Sequence, residues 1–244
     1  MNINLNCEDR GAGEPLILLH GNGGSGQFFK HQMDFFSKEY RVMAIDTRGH
    51  GKSPRGNRPF TIKQFAEDLH KFMCERGIEK ANLLGFSDGG NIAITFALKY
   101  PDMVESLIIS GANLYPQGVK ASVQVPIVIS YYLIKFFSKY SRKSERLGLM
   151  VKQPDIRPLD LEKLQMPALV MAGTNDIIKE THTRLIKVNL SYMQTRPRGV
   201  RKHIEHVVFG SRRVFYHFIR LVINPILLPL FFYLPEIVIH SYSL

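Results

Sequence analysis

Cysteine is scarce in this sequence. Only Cys7 and Cys74 occur in 244 residues, which excludes a fold stapled by a disulfide framework. The N-terminus, Met1 to Glu14, lacks a basic n-region and an apolar h-region. No secretory signal is therefore expected there, and the cytoplasm is the expected location. No internal repeat is visible, so a repeat array is not expected. Basic residues do exceed acidic ones, 32 against 21, for a net charge of +11. No recognition motif with interleaved aromatics accompanies them, so nucleic acid is not an expected partner. The excess is also uneven. The stretch from Ser191 to Leu244 holds seven Lys/Arg against Glu205 and Glu236, a net +5.

What is present reads as one globular domain. The length lies below the roughly 250–300 residues at which single cores stop growing, and the apolar fraction of 45% is ordinary. Short, continuous apolar runs recur at Pro15–Leu19, Arg41–Ile45, Ala81–Leu84, Ser106–Ile109 and Ala168–Ala172. Runs of this kind suit strands buried on both faces. Helical patterns alternate with them at Phe28–Lys38, Ile62–Arg76 and Gly89–Tyr100. The alternation predicts an α/β fold, a mainly parallel sheet with helices on both faces. Asn2 to Cys7 alternates polar and apolar residues, as an edge strand would. From Asn113 to Leu164 the alternation stops. That stretch holds an apolar helix candidate, Val123–Tyr140, and a basic segment, Lys139–Arg146. It reads as a helical insertion (113–164) between two parts of the core (1–112 and 165–244).

The chemistry is concentrated at Gly85-Phe86-Ser87-Asp88-Gly89-Gly90, between a predicted strand and a predicted helix. This is G-x-S-x-G in the context that makes it a nucleophile turn. The turn is sharp enough that side chains at 85 and 89 would collide with backbone. It lifts the Ser87 hydroxyl out at the carboxyl edge of the sheet. It also sets Ser87 at a helix N-terminus, where N–H groups favour developing negative charge. After the strand Leu16–Leu19 comes a glycine-rich loop, His20-Gly-Asn-Gly-Gly-Ser25, which lets backbone approach a substrate closely.

With these motifs the sequence resembles the α/β-hydrolase family. The resemblance spans about residues 2 to 190. It implies an α/β-hydrolase fold, with the insertion forming a small helical cap. It also implies an oxyanion hole built from two backbone N–H groups, those of Asp88 and Asn22. Each such donor is typically worth ~3 kcal/mol in the transition state. Asp46-Thr-Arg-Gly-His-Gly-Lys-Ser53 resembles a further family loop whose role is structural, so Asp46 and His50 are not expected to be catalytic, nor is His20. The acid is placed at Asp176, after the strand Ala168–Ala172. It would fix the tautomer of a histidine and stabilise its imidazolium. No cofactor or metal is implied. Ser87 disfavours a dehalogenase, which uses an Asp nucleophile. The implied reaction is acyl transfer from a small-molecule carboxylic ester, thioester or lactone. Aromatic residues of the insertion (Tyr131, Tyr132, Phe136, Phe137) suggest an apolar substrate group, or else are packing residues.

The third triad member departs from the family pattern. No Gly-x-x-His-Phe stretch occurs where one is expected. His182 comes too early, in the helix after the acid. His203 and His206 fall before or inside the predicted last strand, Ile204–Phe209. His217, in His217-Phe-Ile219, has the family-like local sequence but stands unusually far along the chain from Asp176. It is the first choice, with His206 and His203 as alternatives. The tail itself is unusual. From Ser191 on it contains no Ala and no Asp, and its apolar run Leu221–Ile239 is broken by Pro225, Pro229, Pro235 and Glu236. The run follows a basic segment, as a membrane contact would, but the prolines and Glu236 argue against one. A divergent ending and a reading-frame shift near residue 187 both fit the change in composition. In either case, loss of the histidine motif would leave a catalytically impaired hydrolase-like protein that binds without turnover.

Overall fold

The computed structural model describes residues 3–137, 141–173, 176–191 and 207–209. Seven strands form one sheet: β1 (Cys7–Arg10), β2 (Pro15–Leu19), β3 (Arg41–Ile45), β4 (Ala81–Phe86), β5 (Val104–Ser110), β6 (Ala168–Ala172) and β7 (Val207–Phe209). Their order is β1-β3-β2-β4-β5-β6-β7. Only β1 runs antiparallel, against β3; every other pair is parallel. The fold is the α/β-hydrolase fold.

The apolar runs form strands because both of their faces are covered. Ile17 and Leu19 join one core cluster, and Leu16 and Leu18 join the other. Helices α2 (Ile62–Glu75), α3 (Asp88–Lys99) and α6 (Glu180–Ser191) supply side chains to the first cluster. Helix α1 (Lys30–Phe36) and the turn before it supply Phe29, Met33 and Phe36 to the second. In α2 the buried stripe is Ile62, Phe65, Ala66, Leu69, Phe72 and Met73, spaced to fall on one helical face. Each large member contributes ~1.5–3 kcal/mol by leaving water. Thr61 caps this helix, its hydroxyl oxygen accepting from the Gln64 N–H at 3.1 Å.

The edge strand begins later than the alternation at residues 2–7 predicts. The bonds of residue 6 go to the loop after β3 instead of to a ladder. The Asn6 N–H donates to Ser53 Oγ at 2.8 Å, its side chain donates to Asp46, and its carbonyl accepts from the Asp46 N–H. Pairing with β3 starts only at Cys7. The predicted last strand is described over its final three residues, level with Val170–Ala172 of β6.

Between β5 and β6 lie helices α4 (Ala121–Phe137) and α5 (Arg142–Lys152), which pack on each other. α5 rests on the loops that follow β2 and β3. Asn22 Nδ2 donates to the Arg146 carbonyl at 2.7 Å, Arg146 Nη2 donates to the Gly49 carbonyl at 3.3 Å, and Arg55 pairs with Glu145. α4 differs from the sequence expectation in its orientation. Tyr131 is buried, but Tyr132, Phe136 and Phe137 face solvent. No described helix is long and apolar enough to cross a membrane.

Candidate active site

Strand order turns back on itself at β2. The chain steps from β2 outward to β3, then returns to lay β4 on the other side of β2. In an open α/β sheet such a reversal opens a crevice at the carboxyl ends of the two strands, and ligands bind there. Here the loops beside that crevice are His20–Ser25, after β2, and Ser87, after β4.

Ser87 has φ +54° and ψ −121°, and among the described residues it is the only non-glycine with positive φ. Such backbone costs of order 1–3 kcal/mol and persists only where its surroundings enforce it. The enforcement comes from glycines. A Cβ on Gly89 would lie 1.9 Å from the Leu19 carbonyl oxygen, and one on Gly85 would lie 2.3 Å from the Gly89 oxygen. A Cβ on Gly21 would come within 3.0 Å of Ser87 Cβ, which shows how closely the two loops meet. The Ser87 N–H is fixed to the Ser110 carbonyl at 2.8 Å, so β5 holds the turn from the far side.

Asp176 follows β6 at the same edge. Its Oδ1 accepts from the Ile178 N–H at 3.0 Å and its Oδ2 from the Gly173 N–H at 3.3 Å. These two bonds clamp the carboxylate in its loop. Its Oδ2 would lie 3.2 Å from a Cβ on Gly111, the residue after the Ser110 that holds Ser87. Ser87 and Asp176 thus flank the end of β5. Asn22 and Asp88 stand on the two loops that the crevice separates. The Asn22 side chain is bound to α5, and the Asp88 N–H opens helix α3, where no intrahelical acceptor exists for it.

The described histidines near this edge are engaged elsewhere. The Thr47 N–H donates to His20 Nε2 at 3.1 Å, and His20 Nδ1 lies 2.7 Å from the Gly21 carbonyl. This is the pattern of a neutral ring donating through Nδ1. Burial holds its pKa below the usual value. His50 Nδ1 lies 3.0 Å from Thr47 Oγ1. Its pKa is pushed down to about 4, first by burial and then by His20 beside it. Asp46 accepts from the N–H groups of Gly26 and Lys52, which is loop structure, as the sequence suggests. His182 Nε2 accepts from the Leu114 N–H at 2.8 Å. His203, His206 and His217 lie outside the described residues.

Two features of the site are not visible in the sequence. Phe28 and Phe86 stack with ring centres 4.9 Å apart and stay partly exposed, making an aromatic shelf beside Ser87. In sequence they are merely parts of a helix pattern and of a motif, with nothing to pair them. The second feature is Asp88. Its side chain is buried, one oxygen accepting from Asn91 at 3.2 Å while the other has no donor among the described residues. Burial pushes its pKa up to about 6.

Residues 14–128 match the model of the alpha/beta hydrolase fold family. The match supports an α/β-hydrolase family for the chain. Among curated members, human serine hydrolase BPHL is 29% identical over 235 residues, covering 86% of this chain and 80% of that one. A 2-hydroxy-6-oxononadienedioate/2-hydroxy-6-oxononatrienedioate hydrolase of Paraburkholderia phymatum is 37% identical over 120 residues, 46% of this chain and 41% of its own. The RutD protein of Caulobacter sp. (strain K31) is 36% identical over 97 residues, only 36% of its length. Against these last two relatives the chain therefore spans well under half of their length. Among solved structures, the meta-cleavage product hydrolase CumD of Pseudomonas fluorescens IP01 shares the fold. It superposes with a TM-score of 0.68 at 22% identity, covering 91% of this chain and 93% of that one.

Proposed function

We propose that the chain is a serine hydrolase that cleaves a small-molecule carboxylic ester, thioester or lactone. The observation that carries this is the Ser87 turn, with its positive φ, its glycine neighbours and its place at a helix N-terminus on the crevice. In this reading His217 is the base and Asp176 holds it. The direction of β7 supports the choice of histidine. β7 runs parallel to β6, so its carboxyl end lies at the Ser87 edge. The chain leaves β7 at that edge after Phe209, and of the three candidates only His217 follows Phe209 in sequence, which favours it.

The imidazole takes the Ser87 Oγ proton as the oxygen attacks the carbonyl carbon. The N–H groups of Asn22 and Asp88 receive the charge that forms on the carbonyl oxygen. The imidazolium passes its proton to the departing alcohol or thiol, leaving an acyl-enzyme. Water then gives a proton to the same imidazole and releases the acid, which restores Ser87. Helices α4 and α5 would cap the crevice, and the Phe28–Phe86 shelf would contact an apolar part of the substrate.

A fluorophosphonate probe tests the reading. Wild type should label at Ser87, with labelling lost in Ser87→Ala and slowed by a factor on the order of 10³ or more in His217→Ala. Loss in Ser87→Ala alone moves the base to His206 or His203. Absence of labelling in folded wild type overturns the reading in favour of a binding protein, an outcome the engagement of the described histidines near this edge keeps in view.

A further inference from the structure

The solvent face of α4 is apolar from Val125 to its last residue. Val125, Ile129, Tyr132, Leu133, Phe136 and Phe137 are all more than half exposed. At 100° per residue the first five fall within about one third of the helix circumference, with Phe137 at its margin. Pro126 shares this face, and none of its exposed residues is charged. The single charged residue of the helix, Lys135, lies on another side, its Nζ 5.6 Å from the centre of the Tyr131 ring. Exposed contiguous apolar surface of this kind on a folded domain marks an interaction site.

Charge indicates the occupant. From Lys120 to Lys152 there are seven Lys/Arg and one acid, Glu145, a net +6. Residues 1–119 hold 13 of each sign and residues 153–190 hold five of each, so both are neutral. The entire basic excess ahead of the tail therefore lies in the segment that carries the apolar face. Arg142 and Lys143 are exposed just past the end of α4, and Glu145, the one acid, is already paired with Arg55. Two copies docking through α4 would bring +6 against +6. A surface that is apolar within and negatively charged at its rim matches instead.

We propose that α4 lies on the surface of an anionic lipid bilayer, its apolar face among the acyl chains and the flanking Lys/Arg side chains at the headgroups. A bulky apolar stripe combined with neighbouring cations is the pattern of a helix that lies in the interface plane.

Flotation of the full chain with vesicles tests this, using phosphatidylcholine alone and phosphatidylcholine mixed with phosphatidylglycerol. Wild type should float with the anionic vesicles, bind the neutral ones more weakly, and bind less at high salt. Ile129→Glu/Phe136→Glu should lower partitioning at least tenfold with unchanged thermal unfolding, since both side chains stand in solvent. Arg142→Glu/Lys143→Glu should abolish the preference for anionic lipid. The proposal is overturned if folded wild type does not float. It is also overturned if the Ile129/Phe136 variant floats as well as wild type, which would place the contact elsewhere in the chain, the C-terminal apolar run included. Concentration-dependent dimers that this variant dissociates, without vesicle binding, would assign the face to a second copy.

Discussion

Beneath the nucleophile turn, the carboxyl group of Asp88 is held in a site that prefers its neutral form. It ionises near 3.8 when the chain is unfolded and near 6 when folded. The folded state therefore binds the extra proton between these values, and stability falls as pH rises through about 6. Asp88→Asn should raise the unfolding free energy at pH 8 by on the order of 2–3 kcal/mol, a gain that disappears near pH 4. Thermal melts across this range check it. His50 acts with the opposite sign. Its folded pKa of about 4 lies below the unfolded 6.5, so its contribution is complete above 6.5 and is lost as pH falls toward 4. At Gly89 the constraint is steric. A methyl group 1.9 Å from the Leu19 oxygen cannot be relieved by a rotamer, because both partners are backbone. Gly89→Ala should cost more than about 3 kcal/mol or abolish soluble expression. The need for glycine at 85 and 89 was legible in sequence because the motif itself encodes it. The Asp88 oxygen left without a donor among the described residues was not, since only the packing around Asn91 shows it.

Among the elements, α2 is tied to the loop after β3 by a buried ion pair. Arg48 Nη2 lies 2.6 Å from Asp68 Oδ1, and the side chains are 1% and 9% exposed. Its removal from one side leaves a buried charge unpaired. Asp68→Ala should lower stability by about 3–5 kcal/mol in chemical denaturation, more than loss of an exposed pair such as Lys80–Glu105 would. The β-strands buried on both faces were legible because such strands are apolar at nearly every position; the buried exceptions Asn82 and Ser106 hydrogen-bond to each other, and β6 falls where its run does. The first strand starts late because Ser53 and Asp46, distant in sequence, take the bonds of residue 6. Helix α4 lies close to its predicted place, but an apolar helix gives no periodic signal of which side meets water. The reading of Phe136 and Phe137 as pocket or packing residues fails for that reason.

For the whole molecule, the site is set by strand order. The glycine loop follows β2, the serine follows β4 and the acid follows β6, and their shared edge appears only once the strands lie in the order β3-β2-β4-β5-β6. Sequence supplied the residues and their succession, while the crevice between β2 and β4 belongs to the topology. The base of the proposed triad was left open in sequence between His217, His206 and His203, because the composition changes before it is reached. The order of the strands also has a consequence during synthesis. A nascent chain emerging from the ribosome can complete the serine turn as soon as β5 has joined β4, since Ser110 is the group that holds it. Asp176, the proposed acid, arrives only after α4, α5 and β6 have been made. Over that interval the growing chain would carry a shaped serine turn without Asp176, so in the proposed reading hydrolytic competence trails the folding of the turn by the length of α4, α5 and β6.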